Sequence, residues 1–440
     1  MKLRIKNFAK IKDADINIDG ITVIAGENNT GKSTVGKILF SLFNSLSNVD
    51  EKILEERLKE IESTNRIIIQ NNTSEIEISR SMVSRSALNI SRRIRIKIKE
   101  TLDIGETISD EKLYEIVKEA ISSWKTITEN KKYDELNNAI EKIYRNTKEI
   151  LNLPEETIVL EIVSRYFNRV FHSQIESLSS SEDAKTEVTL NIKGKDEKLL
   201  FENNYCKELA DNIKIIHKAI YIDNPFVVDE LSMFKYNLTN PMDELLVDLL
   251  TSKSQEGVMD GVIETIRTKE KLNDIYKTLQ SVVNGEILVT SNNEEYYLKN
   301  NEFDKPISFH NLSTGVKSFV ILKMLLEKGC LKEKDVVILD EPEIHLHPQW
   351  QIAYAELIVL LQKHFDLSVI VTTHSPYFVD ALNLFSCKYG TDNKVNFYLS
   401  VNNANTVTME CVTNKIELIY KKMASPIQIL DTLRYELNNN

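Results

Sequence analysis

Gly26-Glu27-Asn28-Asn29-Thr30-Gly31-Lys32-Ser33 fits the pattern G-x-x-x-x-G-K-[ST] at every fixed position. Gly26 and Gly31 allow the backbone to wrap a phosphate without Cβ clashes, and the amides of Asn29 to Ser33 point into the wrap. The helix that begins there adds the positive end of its dipole. Lys32 can reach the outer phosphates of a nucleotide, and the Ser33 hydroxyl, followed by Thr34, can meet Mg²⁺. A second group of residues suits the metal side of the same chemistry. Asp335-Val336-Val337-Ile338-Leu339-Asp340-Glu341-Pro342 is an apolar run ending in two carboxylates. Asp340 can hold the metal, and Glu341 can polarise an attacking water. A third run, Val369-Ile370-Val371-Thr372-Thr373-His374-Ser375-Pro376, places a histidine 34 residues beyond Asp340.

These residues need strands that end together and a helix that starts at the loop. Ile21–Ala25 reads as a buried strand before Gly26, and Val35, Ile38, Leu39 and Leu42 give the following helix one apolar face. Residues 335–339 and 367–373 read as two further buried strands. Upstream, Leu3, Ile5 and Phe8 and then residues 13–18 alternate as strands. Residues 50–63, 107–175 and 240–283 read as mostly helical, 66–79 and 187–202 as hairpins, and 213–222 as a strand. Residues 394–412 predict a last hairpin and 414–436 a terminal helix.

His310-Asn311-Leu312-Ser313-Thr314-Gly315 resembles the Leu-Ser-x-Gly signature of ABC-type ATPases, with Ser313 27 residues before Asp340. Glu341-Pro342-Glu343-Ile344-His345-Leu346-His347-Pro348 resembles the OLD-like and RecF/SMC-like branch of that family. The resemblance covers residues 1–45 and 285–400. It implies an α/β fold, a P-loop ABC-type ATPase head with a mixed sheet flanked by helices, interrupted by a large, mostly helical insertion. It further implies ATP and Mg²⁺ as cofactors, hydrolysis of ATP to ADP and phosphate, and head-to-head dimers or higher homo-oligomers. In that arrangement Gly26–Thr34, Asp340, Glu341 and the switch-type His374 form one face of each site, while the partner's Ser313 and Gly315 close it. The domain division that follows is a head of 1–45 and 285–412, an insertion of 46–284 and a C-terminal helix of 413–440. Gln174 and Gln70 are the two candidates for the family's Q-loop. His345 and His347 suit capping and interface contacts better than a metal site.

The 440 residues carry 55 basic and 66 acidic side chains, a net charge of −11. That balance argues against a protein coated in nucleic acid. Four cysteines without a Cys-x-x-Cys pair, no apolar run of membrane-crossing length and an N-terminus unlike a signal peptide point to the cytoplasm, with no membrane partner. Against this background Arg80, Arg85, Arg92, Arg93, Arg95, Lys97 and Lys99 form a run without an acid. As a strand, 93–99 alternates basic and apolar; as a helix, Ile90, Ile94, Ile98 and Leu102 align. DNA or RNA could dock on either form, and a solvated face or an acidic partner chain fits as well.

The 66 residues after His374 contain no Asp-x-Asp pair of a Toprim nuclease, and no HNH-like cluster occurs. The chain therefore resembles the ATPase subunits of two-gene phage-defence systems such as Septu and PARIS, which act with a separate effector, a nuclease or toxin. A DNA-repair or chromosome-maintenance ATPase of the RecF/SMC type is the alternative. A nucleotide-binding scaffold without turnover fits less well, because Glu341 and His374 are both present.

Overall fold

In a computed structural model, the chain is described except for residues 73–79, 123–132, 179–184, 211–214, 233–237, 253–271, 291–294, 301–302, 404 and 440. It divides into two compact units. One comprises Met1–Ser47 and Ile162–Asn440, and the other is Asn48–Glu161.

The larger unit is built on a mixed sheet with helices against it. β1 (Lys2–Phe8), β2 (Ile11–Asn17) and β3 (Ile21–Gly26) open the chain, and α1 (Lys32–Leu46) follows β3. The next strands are β4 (Thr186–Ile192), β5 (Lys195–Glu202), β6 (Tyr205–Ala210) and β7 (Ala219–Ile222). After α7 (Pro241–Thr251) and the helical residues 272–280, a small antiparallel sheet forms from β8 (Glu286–Val289), β9 (Tyr296–Lys299) and β10 (Ile307–Ser308). The chain then runs through α8 (Thr314–Glu327), β11 (Val336–Asp340), α9 (Pro348–Phe365), β12 (Ser368–Thr373) and α10 (Pro376–Tyr389). The hairpin β13 (Val395–Asn403) and β14 (Thr406–Cys411) precedes α11 (Glu417–Met423) and α12 (Ser425–Asn439).

The described strands of the large sheet run in the order β6-β5-β4-β1-β2-β14-β13-β3-β12-β11-β7. From β13 to β7 they are parallel, with Val371 opposite Val23 and Leu339 opposite both Val371 and Ile222. Helices cover this part on both faces, so its strands are apolar at consecutive positions rather than alternating. Val23, Leu339, Val369 and Val371 belong to a core with Phe319, Tyr354, Leu357 and Phe378 of α8, α9 and α10. Phe40 of α1 meets Tyr221 of β7 edge to face. The antiparallel arm has its own aromatic core, in which Phe8 packs on Phe171 and Phe167 on Phe201.

The smaller unit contains α2 (Val49–Asn72), α3 (Arg80–Asp103), α4 (Asp110–Ser122), α5 (Tyr133–Leu151) and the first turns of α6 (Glu155–Phe171). α2 packs on α3 and α5, and α4 closes the ring by packing on the same two. Leu58, Ile61, Ile69, Ile90, Ile94, Ile98, Val117 and Ile143 fill the centre. The Asn65 amide donates to Thr147 Oγ1 at 2.9 Å, which fixes the register of α2 on α5 without leaving a buried polar group open.

Several expectations change. Residues 66–72, expected in a hairpin, continue α2, because Ile69 extends the buried row of Leu58 and Ile61; residues 73–79 lie outside the described residues. The helical expectation for 123–132 and 253–271 also lies outside them. Residues 46–284 do not form one body, since β4–β7 join the large sheet through the pairing of β4 with β1 and of β7 with β11. The terminal helix is two helices, broken at Ala424 ahead of Ser425 and Pro426. The basic run is helical, and acids of the same unit take up much of its charge. Arg95 lies 2.9 Å from Glu55 and 2.8 Å from Glu62, Lys99 lies 2.7 Å from Glu55, and Lys97 pairs with Glu119. Among the described residues no helix is long and apolar enough to cross a membrane.

Candidate functional site

The parallel strands β3, β12, β11 and β7 end side by side, and the candidate residues sit at those ends. Gly26 closes β3, where a Cβ would come within 2.9 Å of Ser400 Cβ on the neighbouring β13. Ser400 Oγ donates to the Thr30 carbonyl at 2.6 Å, and Thr30 Oγ1 donates to the Glu27 carbonyl at 2.7 Å. Gly31 caps α1 in a left-handed conformation at φ 73°, and no side chain accepts from the first amides of the helix. Those amides therefore suit an anion. Asn28 and Asn29 lie exposed at the loop crest, and Thr34 is half-buried in the first turn of α1.

Lys32 is 3% exposed. Its ammonium donates to the Glu27 carbonyl at 2.8 Å and stands 3.7 Å from Glu341 Oε1. Burial pulls its pKa below the ordinary lysine value, and the carboxylates of Glu341, Asp340 and Glu343 oppose that shift. A buried cation held by one carbonyl and a distant carboxylate can exchange those partners for phosphate oxygens.

Ser33 Oγ donates to Asp340 Oδ1 at 2.9 Å, and Tyr221 Oη donates to Asp340 Oδ2 at 2.6 Å. Thr372 Oγ1 also bonds Asp340 Oδ1. Burial beside Asp340 raises the Tyr221 phenol well above its usual value, so it stays a donor. A hydroxyl and a carboxylate of this kind form an all-oxygen donor set that suits Mg²⁺. Glu341 follows at φ 50°, a left-handed conformation costly for a residue with a Cβ. Its amide donates to the Thr372 carbonyl at 3.1 Å and to Thr372 Oγ1 at 3.0 Å, which holds the turn. His374 Nε2 meets Glu341 Oε1 directly. Lys32, Ser33, Asp340, Glu341 and His374 therefore converge, although they come from three separate stretches of sequence.

Ser313 and Gly315 belong to another part of this unit. Ser313 caps α8 without a side-chain hydrogen bond. A Cβ on Gly315 would lie 2.9 Å from the Trp350 ring and 3.1 Å from the His345 carbonyl, so the start of α8 is pressed onto the turn after β11. His345 stacks edge to face on Phe226. His347 caps α9, its Nδ1 accepting from the Gln349 amide at 3.5 Å. Among the described residues no group of histidines, cysteines and acids is arranged to hold a metal ion.

Neither Q-loop candidate lies at a strand tip beside Asp340. Gln70 donates to Ser84 within the helical unit, and Gln174 sits in the turn after α6. The tip of β7, next to β11, carries Asp223. Asp223 is open to solvent, yet the surrounding protein and the carboxylates of Asp243 and Asp340 push it up to about 6. Sequence reasoning also missed Tyr221, Thr372, Glu343 and Ser400. Only Thr372 and Glu343 carried a signal, each being a polar residue inside a motif already singled out.

Residues 1–379 match the AAA ATPase domain family, and the chain belongs to it. It is 34% identical over 139 residues to the Septu protein PtuA of Bacillus thuringiensis, across 28% of each chain. It is 28% identical over 188 residues to the Retron Ec83 probable ATPase of Escherichia coli, across 37% of this chain and 34% of that one. The chain thus spans about a third of the length of the curated relatives it matches. Among solved structures, the SmcHead bound to the C-winged helix domain of ScpA aligns with a TM-score of 0.41 at 12% identity, across 95% of this chain and 98% of that one. The family match makes the chain a member of an ATPase family, and the relatives it resembles in part are named a Septu protein and a probable retron ATPase.

Proposed function

We propose that the chain binds ATP at residues 26–34, hydrolyses it to ADP and phosphate, and dimerises head to head around two ATP molecules to control a separate effector in anti-phage defence in the cytoplasm. The observation that carries the enzymatic part is the convergence of Lys32, the Ser33–Asp340 pair and the Glu341–His374 pair at adjacent strand tips. Lys32 and the uncapped amides of α1 bind and orient the phosphates. Mg²⁺ held by Ser33 and Asp340 would neutralise charge on the outer phosphates. Tyr221 and Thr372 keep both Asp340 oxygens aimed. Glu341 accepts a proton from the attacking water, and His374, in contact with its Oε1, fixes the carboxylate and faces the outer phosphate.

The dimer is supported by the placement of Gly315, which packs on the turn after β11 with Ser313 capping the same helix, while the loop 26–34 is braced by β13. A second copy supplying its own α8 N-terminus completes each site. The effector reading rests on the likeness to Septu PtuA and the retron ATPase. DNA or RNA binding through residues 80–99 is not favoured, since Arg95, Lys97 and Lys99 are already paired with acids.

Glu341→Gln tests the reading. It should still bind ATP, lower turnover by roughly 100-fold or more, and accumulate as an ATP-bound dimer in light scattering. Unchanged phosphate release in that variant would remove Glu341 as the base, and a monomer with ATP bound would remove the head-to-head dimer.

A further inference from the structure

Glu343 lies in the short 3-10 turn Pro342–His345, two residues beyond the candidate base, and is 6% exposed. Its Oε1 accepts from Thr373 Oγ1 at 2.6 Å, from the His374 amide at 2.6 Å and from the Ser375 amide at 3.2 Å. Its Oε2 is buried without a hydrogen-bond partner. Burial raises its pKa, and the Thr373 hydroxyl and His374 amide oppose the shift. Stability alone does not call for an acid here, because burying a carboxyl with one oxygen unsatisfied is unfavourable. The arrangement does gain geometry, since three successive residues of the histidine turn are fixed by one oxygen atom.

Gln351 of α9 strengthens the same connection. Its Nε2 donates to the carbonyls of Glu343 at 3.4 Å and Leu346 at 3.1 Å, and its Oε1 accepts from Ser375 Oγ at 2.7 Å. On its other side the 342–346 turn bears the signature helix, because the His345 carbonyl faces Gly315. Phe226, which stacks on His345, also lies over the ammonium of Lys317 in that helix, at 5.0 Å.

We propose that Glu343 is a positioning residue that holds the backbone of 373–375, sets His374 against Glu341, and links that pair to the turn on which Gly315 rests. Displacement of the α8 N-terminus by a second copy would thereby reach the hydrolytic pair through one rigid turn. The catalytic part of this inference rests on the ATPase reading above; the positioning part does not.

The test uses the full chain and two measurements. Hydrogen exchange of the His374 amide is followed without nucleotide, and steady-state ATP hydrolysis is followed with Mg²⁺. Glu343→Ala should speed exchange at His374 by about 10-fold or more, since the acceptor is lost. It should lower kcat by roughly 100-fold while KM stays within about threefold, because the ground-state phosphate contacts are untouched. Glu343→Gln keeps an acceptor oxygen and should restore both values to within about fivefold. Unchanged protection at His374 in folded Glu343→Ala overturns the proposal. Should Glu343→Ala fail to fold, Glu343→Gln decides alone, and turnover as low as that of His374→Ala overturns it. Wild-type chain without ATP hydrolysis would defeat the ATPase reading, while the exchange data would still decide the role of Glu343.

Discussion

The two units use charged side chains in opposite ways. In the α/β unit, Lys32 is buried and lies within reach of three carboxylates, yet its hydrogen bond is to a backbone carbonyl. In the helical unit, Lys99 is half-exposed and tightly paired with Glu55. The first cation is held where a stronger anion can claim it, and the second has its anion already. The carboxylates follow the same contrast. Asp340 is held by three hydroxyls and Glu341 sits on a left-handed turn, whereas Glu55 and Glu62 bind two arginines and a lysine on a helical surface. Local charge density therefore says little about a ligand. What separates the two regions is whether the fold leaves the charge partly unmatched.

The contrast can be broken at its strongest point by Lys32→Ala. Removing the charge-assisted phosphate contact should weaken ATP binding by roughly 100-fold or more, about 3 kcal/mol, with little loss of thermal stability; calorimetric titration with ATP and a melting curve measure both. A smaller effect is expected at Gly315, in the same unit but away from the loop. Gly315→Ala forces a Cβ against Trp350 and the His345 carbonyl. ATP affinity of the single chain should stay within about twofold, while ATP-dependent dimer formation falls by about tenfold, a shift of roughly 1.4 kcal/mol, read by sedimentation. Equal loss of both would mean that the signature turn supports the chain's own loop. The smallest change is expected in the helical unit. Arg95→Ala should cost about 1 kcal/mol of stability and leave ATP hydrolysis unaltered. A large fall in affinity for a DNA oligonucleotide at low salt would contradict the assignment of this charge to structure.

What could be read from the sequence follows from how each part is encoded. The loop 26–33 and the strand ends at Asp340 and His374 are contiguous motifs, each carrying its residue types and its strand in one short stretch. Tyr221, Ser400 and Asp223 reach the site only through strand neighbours far away in the chain, and nothing local marks them. The same limit explains the insertion. β4 pairs with β1 across more than 180 residues, so 162–284 looked separate although its strands extend the sheet. At 66–72 the β-branched run Ile67-Ile68-Ile69 favoured a strand, and burial of Ile69 beside α3 overrode that preference. In the basic run the helical reading held because Ile90, Ile94 and Ile98 recur every fourth position and all three are buried.

The seat of Gly26 against Ser400 has a consequence for synthesis of the chain. β3 lies between β12 and β13, so the loop it carries gains its flanking strands only after some 370 further residues have been made. Joining ends so distant carries a loop-closure cost that no local contact offsets. The helices of 48–161, in contrast, meet close neighbours in sequence and can pack while translation continues. A nascent chain therefore lacks the strand that braces the loop 26–33 until the ribosome has passed Ser400, and a truncated product ending before β13 is expected to leave that loop without its Ser400–Thr30 bond.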